Sequence, residues 1–143
     1  MKVSLFNWFI RVQLLVVAVV FAVALWMLIF PQKVVVYNQP IEVLNEGGVI
    51  NRGEPILLRH DYCVLHKADA KASYQLRNGF VVSYPDINVR LSQKGCYKSE
   101  AATLVVPDYV SPGEHTLVLR AWYKANPLKT IYLEVETAPF TVE

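Results

Sequence analysis

The stretch that decides the architecture is Val12–Phe30, VQLLVVAVVFAVALWMLIF, in which Gln13 is the only polar residue. As an α-helix, it would rise about 1.5 Å per residue and reach ~28 Å. This length is close to the ~30 Å hydrocarbon core of a bilayer. A helix packed inside a soluble protein usually keeps a polar stripe, and this stretch has none. We therefore predict a transmembrane helix at residues 12–30, with the lipid bilayer as its partner.

A cleaved signal peptide is the alternative that the same stretch allows. Lys2 and Arg11 form a basic region ahead of the apolar run, and Ala22 and Ala24 resemble the small residues of a cleavage site. Apolar residues continue for another turn and a half after Ala24, so this cleavage site would fall inside the apolar run. Because the apolar region of a signal peptide is typically about 7–15 residues long, the sequence favours retention as an anchor.

The charges that flank the helix predict its orientation. Of the 14 Lys and Arg residues, only Lys2 and Arg11 lie in or before the apolar stretch, and no acidic residue precedes Glu42. Basic flanks tend to remain in the cytoplasm. We therefore predict a cytoplasmic flank at residues 1–11, a single pass through a bacterial inner membrane, and a C-terminal domain in the periplasm. Lys33 is a single charge that opposes this orientation.

The chain beyond the helix has balanced charge. It holds the remaining 12 of the 14 Lys and Arg residues and all 12 Asp and Glu residues. Binding to nucleic acid requires clustered cations that displace counterions from phosphates, and the sequence has no such cluster. We therefore expect no nucleic-acid partner.

Two cysteines, Cys63 and Cys96, lie beyond the apolar stretch. An even number of cysteines in an oxidising compartment is typical of a disulfide. A bridge that closes this loop of about 34 residues would contribute ~3–4 kcal/mol in the chain-entropy model. We predict a disulfide between Cys63 and Cys96, and two unrelated thiols are the alternative.

The rest of the sequence has the pattern of short strands separated by turns. Residues 55–66 place apolar side chains at alternate positions, as in a half-buried strand. Asn78-Gly79 joins two extended runs, which is the signature of a β-hairpin. Another alternating run follows Pro112-Gly113, and Asn126-Pro127 turns the chain into a last one.

Seven or eight short strands and no helical period after residue 30 predict a mainly β fold. The arrangement that this spacing favours is an antiparallel immunoglobulin-like β-sandwich. We place this domain at residues 40–143 and a tether at residues 31–39. The tether begins at Pro31, where a helix should stop, and would keep the domain close to the membrane.

No motif of an enzyme is found in the sequence. It has no Gly-x-Ser-x-Gly elbow, no glycine-rich phosphate loop and no His-Glu-x-x-His pair. Cys63 lies three residues from both His60 and His66, but odd and even positions of a strand face opposite sides. We therefore expect neither catalysis nor a cofactor.

A copper or zinc site is the alternative that the histidines suggest. His60, Cys63 and His66 lie within seven residues, and His115 adds a third imidazole. Copper and zinc accept these ligands. On one strand, however, His60 and His66 would lie ~20 Å apart, which is too far for a shared ion. A periplasmic metal-binding sandwich thus stays a second hypothesis.

A surface for binding another protein is predicted on the C-terminal hairpin. Val118, Trp122 and Tyr132 share its outer face, and Arg120 and Glu134 lie beside them. Aromatic residues and Arg are frequent anchors of protein interfaces. We predict that Val118, Arg120, Trp122 and Tyr132 form a binding patch for an unidentified membrane or periplasmic protein. Assembly of a homo-oligomer, partly through the helix, is an alternative.

Five short strings carry a resemblance to a known family: Gly95-Cys96, Val106-Pro107, Ser111–Leu117, Tyr123–Thr130 and Glu136–Val142. They resemble short proteins of tailed bacteriophages in which one N-terminal transmembrane segment precedes a domain. That domain has a Gly-Cys element, a Pro-Gly turn, a Tyr-x-x-Asn-Pro-Leu stretch and a Thr-x-Pro-Phe-x-Val ending. Lys129 and Ala138 stand where the family has Arg and Glu. The resemblance implies a phage-encoded protein of a Gram-negative host and assigns no activity or catalytic residue.

Overall fold

The structure, a computed structural model, describes the backbone of residues 2–143 and the side chains of residues 7–101 and 104–143. Its first element is the 28-residue helix α1 (Lys2–Ile29). Between residues 7 and 30, every side chain except those of Ala24 and Met27 is exposed. The part from Asn7 to Ile29 is long and apolar enough to cross a membrane, and it contains nearly all of the predicted span.

The helix begins earlier than the predicted span, because it also includes nearly all of the predicted flank at residues 1–11. Gly and Pro are the residues that most disfavour a helix, and neither occurs before Pro31. Nothing in the flank therefore interrupts the helix, and the boundary at residue 12 marks a change in polarity alone.

The remaining elements are one turn of 3-10 helix at Glu46–Gly48 and strands that range from two residues to the 14 of Gly113–Asn126, longer than the short strands predicted. The strands of the described residues are β1 (Val35–Tyr37), β2 (Glu42–Val43), β3 (Val49–Ile50), β4 (Pro55–Val64), β5 (Ala68–Asn78), β6 (Phe80–Ser83), β7 (Ile87–Leu91), β8 (Gly95–Val105), β9 (Gly113–Asn126), β10 (Lys129–Glu136) and β11 (Phe140–Val142). The prediction of a mainly β chain after one N-terminal apolar helix is confirmed.

The strands form two sheets. In the first sheet, β4 lies between β8 on one side and β1 and β2 on the other. The second sheet follows the order β3-β11-β9-β5-β6, with β10 paired to β9 and β7 paired to β5. The pairs between these strands are antiparallel except β3 with β11, which is parallel. Strand β9 is therefore central, with β5 on one side and β10 on the other.

One hydrophobic core is shared by the two sheets. Ile56 and Leu58 of β4 belong to the same buried cluster as Leu76 of β5 and Leu117 of β9, and each is at most 1% exposed. Burial of one such side chain contributes about 1.5–3 kcal/mol. At one end of the domain, two short connections, residues 65–67 and 92–94, cross from one sheet to the other. They cover that end of the core.

The connection between helix and domain is shorter than the predicted tether at residues 31–39. Val34 is fully buried, and Val35 pairs with Val64 at the end of β4. Val34-Val35-Val36, a β-branched run inside the predicted tether, therefore leads into the first strand of the domain, β1. Only residues 30–34 connect it to α1, so the domain is not joined to the helix by a long linker.

The disulfide between Cys63 and Cys96 is present, with an S–S distance of 2.03 Å. The two cysteines are register partners on β4 and β8. The bridge therefore joins adjacent strands of one sheet, whereas the disulfide of antibody domains joins the two sheets.

Candidate functional site

The turn between β9 and β10 contacts the C-terminal end of α1. The side-chain amide of Asn126 donates hydrogen bonds to the carbonyl oxygens of Met27 (2.7 Å) and Phe30 (2.9 Å), and the ammonium group of Lys129 donates to that of Ile29 (2.9 Å). The last carbonyl groups of a helix have no partner within the helix, and a cation there also interacts favourably with the helix dipole. The hairpin therefore caps α1 and joins it to the domain.

Asn126 is held in place for this contact by its own turn. The backbone N–H of Leu128 donates to the side-chain oxygen of Asn126 at 3.0 Å, which leaves the amide nitrogen free to reach the helix. The sequence predicted only a turn at Asn126-Pro127. Its contact with the helix could not be predicted, because no local pattern reports a partner so far away in the chain.

Two of the four predicted patch residues form a surface contact. Trp122 of β9 and Tyr132 of β10 are register partners, and their ring centroids lie 5.6 Å apart with the planes tilted by 51°. Their exposed fractions are 38% and 49%. Aromatic pairs in this geometry attract one another, so the two rings form one exposed apolar surface on the outer face of the hairpin.

Glu134 connects this aromatic pair to two arginines. It lies 3.0 Å from Arg120 and 3.3 Å from Arg77, and it accepts a hydrogen bond from the hydroxyl group of Tyr132. This hydrogen bond, followed by the contact with Arg120, lowers the pKa of Glu134, and the same bond raises the pKa of Tyr132. Charge-assisted hydrogen bonds are stronger than neutral ones, so they hold the edge of the aromatic pair in one arrangement.

The prediction was wrong for Val118, the fourth residue of the patch. Its side chain is fully buried and lies between its register partners, Gln75 of β5 and Glu136 of β10. Since β9 is a central strand, the short side chain of Val118 has the longer side chains of Gln75 and Glu136 on its two sides, whereas the larger Trp122 on the same face stays exposed. Alternation along a strand predicts which side chains share a face but not which strand lies in the middle.

A groove of about 330 Å³ runs next to Tyr132, between β1 and β10. Its apolar lining includes Val36 of β1 and Ile131 and Leu133 of β10. Within the described residues β10 pairs with β9 alone. Its second edge therefore keeps backbone hydrogen-bonding groups available to an added strand.

A second cavity, of about 240 Å³, lies between the sheets and contains a histidine that sequence reasoning did not place there. The Nδ1 atom of His60 lies 3.3 Å from the hydroxyl oxygen of Tyr37, and the Nε2 atom of His60 lies 3.3 Å from the hydroxyl oxygen of Tyr74. A neutral imidazole has one donor and one acceptor, so one tyrosine donates to it and the other accepts.

Burial sets the protonation of this histidine-tyrosine cluster. It lowers the pKa of His60, which keeps the imidazole neutral near pH 7. Burial first, and neighbouring tyrosines second, raise the pKa of Tyr74 and Tyr123 to about 12 and raise that of Tyr37 as well. The cluster is therefore uncharged, and its hydrogen bonds satisfy polar groups inside the core. We interpret it as a structural network.

The histidines proposed for a metal site do not come together. His60 bonds to two tyrosines, His66 is exposed in the 65–67 connection, and His115 bonds through Nε2 to the carbonyl oxygen of Ser111 at 2.8 Å. The sulfur of Cys63 is held in the disulfide. Among the residues that the structure describes, no group of three His, Cys, Asp or Glu side chains is placed to hold a metal ion.

Comparisons with known proteins identify no family. No protein-family model and no curated protein matches the chain. Among solved structures, the chain is similar to the Pseudomonas fluorescens alkylpurine DNA glycosylase AlkC bound to DNA containing an abasic site analogue, with a TM-score of 0.44 and 14% sequence identity. The match covers 79% of this chain and 31% of that protein. At this similarity, nothing about the fold or the activity of the glycosylase transfers to this chain.

Proposed function

We propose that the chain is a single-pass inner-membrane protein whose periplasmic domain binds another protein and has no catalytic activity of its own. The observation that carries this proposal is the exposed Trp122–Tyr132 pair, held by Glu134 beside an open strand edge. A fixed aromatic surface next to arginine has the composition of an interface anchor.

The membrane part of the proposal rests on α1. Beyond Gln13 the helix is apolar on all sides, and its side chains other than Ala24 and Met27 are exposed rather than packed on the domain. Exposing about six turns of apolar helix to water has a large free-energy cost, because each buried methylene contributes about 0.8 kcal/mol. Insertion into lipid removes this cost. Retention of the protein in the membrane pellet after extraction at alkaline pH tests this part.

We infer that the two sheets of the domain are arranged as an immunoglobulin-like sandwich. Two sheets that share one core, and connections that pass between them at β4–β5 and β7–β8, support this inference. Two features differ from antibody domains. The disulfide lies within one sheet, and Trp122 lies on the surface rather than against the bridge.

The binding surface can be tested by capturing partners from membranes that contain the full-length protein. We expect Trp122→Ala and Tyr132→Ala each to abolish capture of a specific partner. Tyr109→Ala is the matched control, since Tyr109 is an exposed aromatic residue, 77% accessible, outside the patch. A partner that is retained by both patch variants, or lost equally in the control, would remove this surface from consideration.

We also propose that the protein is encoded by a phage or prophage. The resemblance in Gly95-Cys96, Val106-Pro107, Ser111–Leu117, Tyr123–Thr130 and Glu136–Val142 supports this origin. A membrane-held binding module of this kind suits lysis, exclusion of a competing phage or entry of a virion. The neighbouring genes test the origin, and a setting without other phage genes would contradict it.

A further inference from the structure

The end of the domain that contacts α1, here called the helix-proximal end, is fixed by the hydrogen bonds of Asn126 and Lys129 to the helix. Two of the connections between the sheets, residues 65–67 and 92–94, lie at the same end. Leu65 and Leu128 are 41% and 53% exposed there, and Leu65 faces the same recess as Trp26 and Phe30 of the helix region. If α1 crosses a bilayer, this end of the domain lies at the lipid headgroups.

Cations are concentrated at this end, although the domain as a whole is neutral. Each of them lies in a loop at this end or within two residues of the end of a strand there: Lys33, Lys67, Arg90, Lys94, Lys124 and Lys129. Among the described residues, Asp69 is the one carboxylate that lies at this end, in the second position of β5. The opposite end carries mainly carboxylates, including Glu54, Asp108 and Glu114, so the fold separates charges that the sequence mixes.

Three of these cations surround a recess of about 550 Å³. Lys67, Arg90 and Lys124 line it together with Ser92 and Asp69. Arg90 lies 3.8 Å from Asp69, and both side chains are more than three-quarters exposed, so water screens this pair strongly. Among the described side chains, Lys67 and Lys124 form no ion pair. The recess therefore has unneutralised positive charge and a hydroxyl donor.

We propose that the helix-proximal end binds the phosphate headgroups of anionic phospholipids, with the Lys67–Arg90–Lys124 recess as the principal site. This inference rests on the proposed membrane insertion of α1. It commits to lipid because the recess lies beside the helix exit and because Leu65 and Leu128 offer apolar contacts at the same level. Anionic surfaces attract such cations over about one Debye length.

Headgroup binding would give the domain one posture on the membrane. The cationic end faces the lipid, and the carboxylates of the opposite end point away from the anionic surface. Trp122 and Tyr132, on the outer sheet face, then point along the membrane surface. A partner that binds them would itself be a membrane protein or would lie against the membrane.

The test uses full-length protein in nanodiscs that contain phosphatidylcholine alone or phosphatidylcholine mixed with phosphatidylglycerol. Native mass spectrometry counts the lipids that stay bound after release from the disc. We expect phosphatidylglycerol to be enriched over its share of the disc. Because one cation at an anionic surface contributes about 1 kcal/mol, each of Lys67→Gln and Lys124→Gln should reduce the enrichment about fivefold.

Arg52→Gln is the matched control, since Arg52 is an exposed cation at the opposite end, and it should leave the enrichment unchanged. Inorganic phosphate is added as a separate arm, and it should not displace the lipid. Equal retention of both lipids, an equal loss in the control, or displacement by inorganic phosphate would overturn the inference. Alkaline extraction of the same variants reports insertion of α1 independently, so failure of the span and failure of the lipid site are distinguishable.

Discussion

Asn126, in the turn of the last hairpin, donates a 2.7 Å hydrogen bond to the carbonyl oxygen of Met27, which lies 99 residues earlier in the chain. The last carbonyl groups of a helix have no partner within the helix. Here they are capped by the last hairpin of the domain, which is far from the helix in the sequence. The helix and the domain thus meet at a defined junction. In the proposed membrane orientation, this junction gives each position of the domain a defined height above the membrane.

Asn126→Ala should loosen this junction. The substitution removes the donors to Met27 and Phe30, and an unpaired, partly buried carbonyl costs about 1–3 kcal/mol. We expect faster hydrogen exchange and easier proteolysis at residues 30–34, with the stability of the β domain unchanged. Asn88→Ala, at an exposed position of β7, is the control. Unchanged exchange at the junction in Asn126→Ala would show that the contact does not hold the domain.

His60 should make the domain less stable in acid. Burial lowers its pKa below the ordinary value of 6.5, so the unfolded chain binds a proton before the folded domain does. Stability is therefore present above pH 6.5 and is lost as the pH falls from there towards the pKa of the folded state. Urea denaturation as a function of pH should show this loss.

His60→Gln should flatten that pH dependence, because glutamine can keep a hydrogen bond to a tyrosine but does not titrate. His66→Gln, at an exposed histidine, should retain the wild-type profile. An identical acid profile in wild type and His60→Gln would mean that the buried imidazole is not the group that titrates.

The buried tyrosines should make the domain less stable in alkali. Burial raises the pKa of Tyr74, Tyr84 and Tyr123 to about 12, whereas an unfolded chain loses these protons near pH 10. Stability should therefore fall as the pH rises from 10 towards 12. Absorbance at the tyrosinate band should show that Tyr74, Tyr84 and Tyr123 ionise only well above pH 10. A single transition near 10 for all eight would contradict this burial.

Removal of the disulfide should lower the free energy of unfolding. Replacing Cys63 and Cys96 together by Ala opens a loop of about 34 residues, and the chain-entropy model gives a loss of ~3–4 kcal/mol. Urea denaturation of the double variant should match that of the reduced wild type. If reduction leaves the unfolding midpoint in place, the bridge contributes little to the folded state.

Features set by local pattern could be predicted from the sequence. The apolar helix follows from the run at residues 12–30. Ile56, Leu58 and Val64 are buried at alternate positions of β4 as expected, and the residues flanking Asn78-Gly79 pair as a hairpin. In each case, the sequence pattern that indicates the structure lies within a few residues.

Features set by distant strands could not be predicted. Val118 is buried because β5 and β10 flank β9, and no property of its neighbours in sequence indicates this. The inward orientation of His60 follows from its parity with Ile56 and Leu58 on β4. Its partners Tyr37 and Tyr74 lie on other strands, and they could not be predicted. The sequence shows only that the charges of the domain balance. It does not show that the strand order brings cations together at the helix-proximal end.

The account depends most on α1 being a retained membrane span with the domain outside the cytoplasm. Fusion of alkaline phosphatase, which is active only after export, and of β-galactosidase, which is active only in the cytoplasm, after Glu143 tests this directly. We expect active phosphatase and inactive galactosidase, with intact N-terminal residues in the membrane fraction. Active galactosidase, or a mature chain that begins after Ala24, would contradict it.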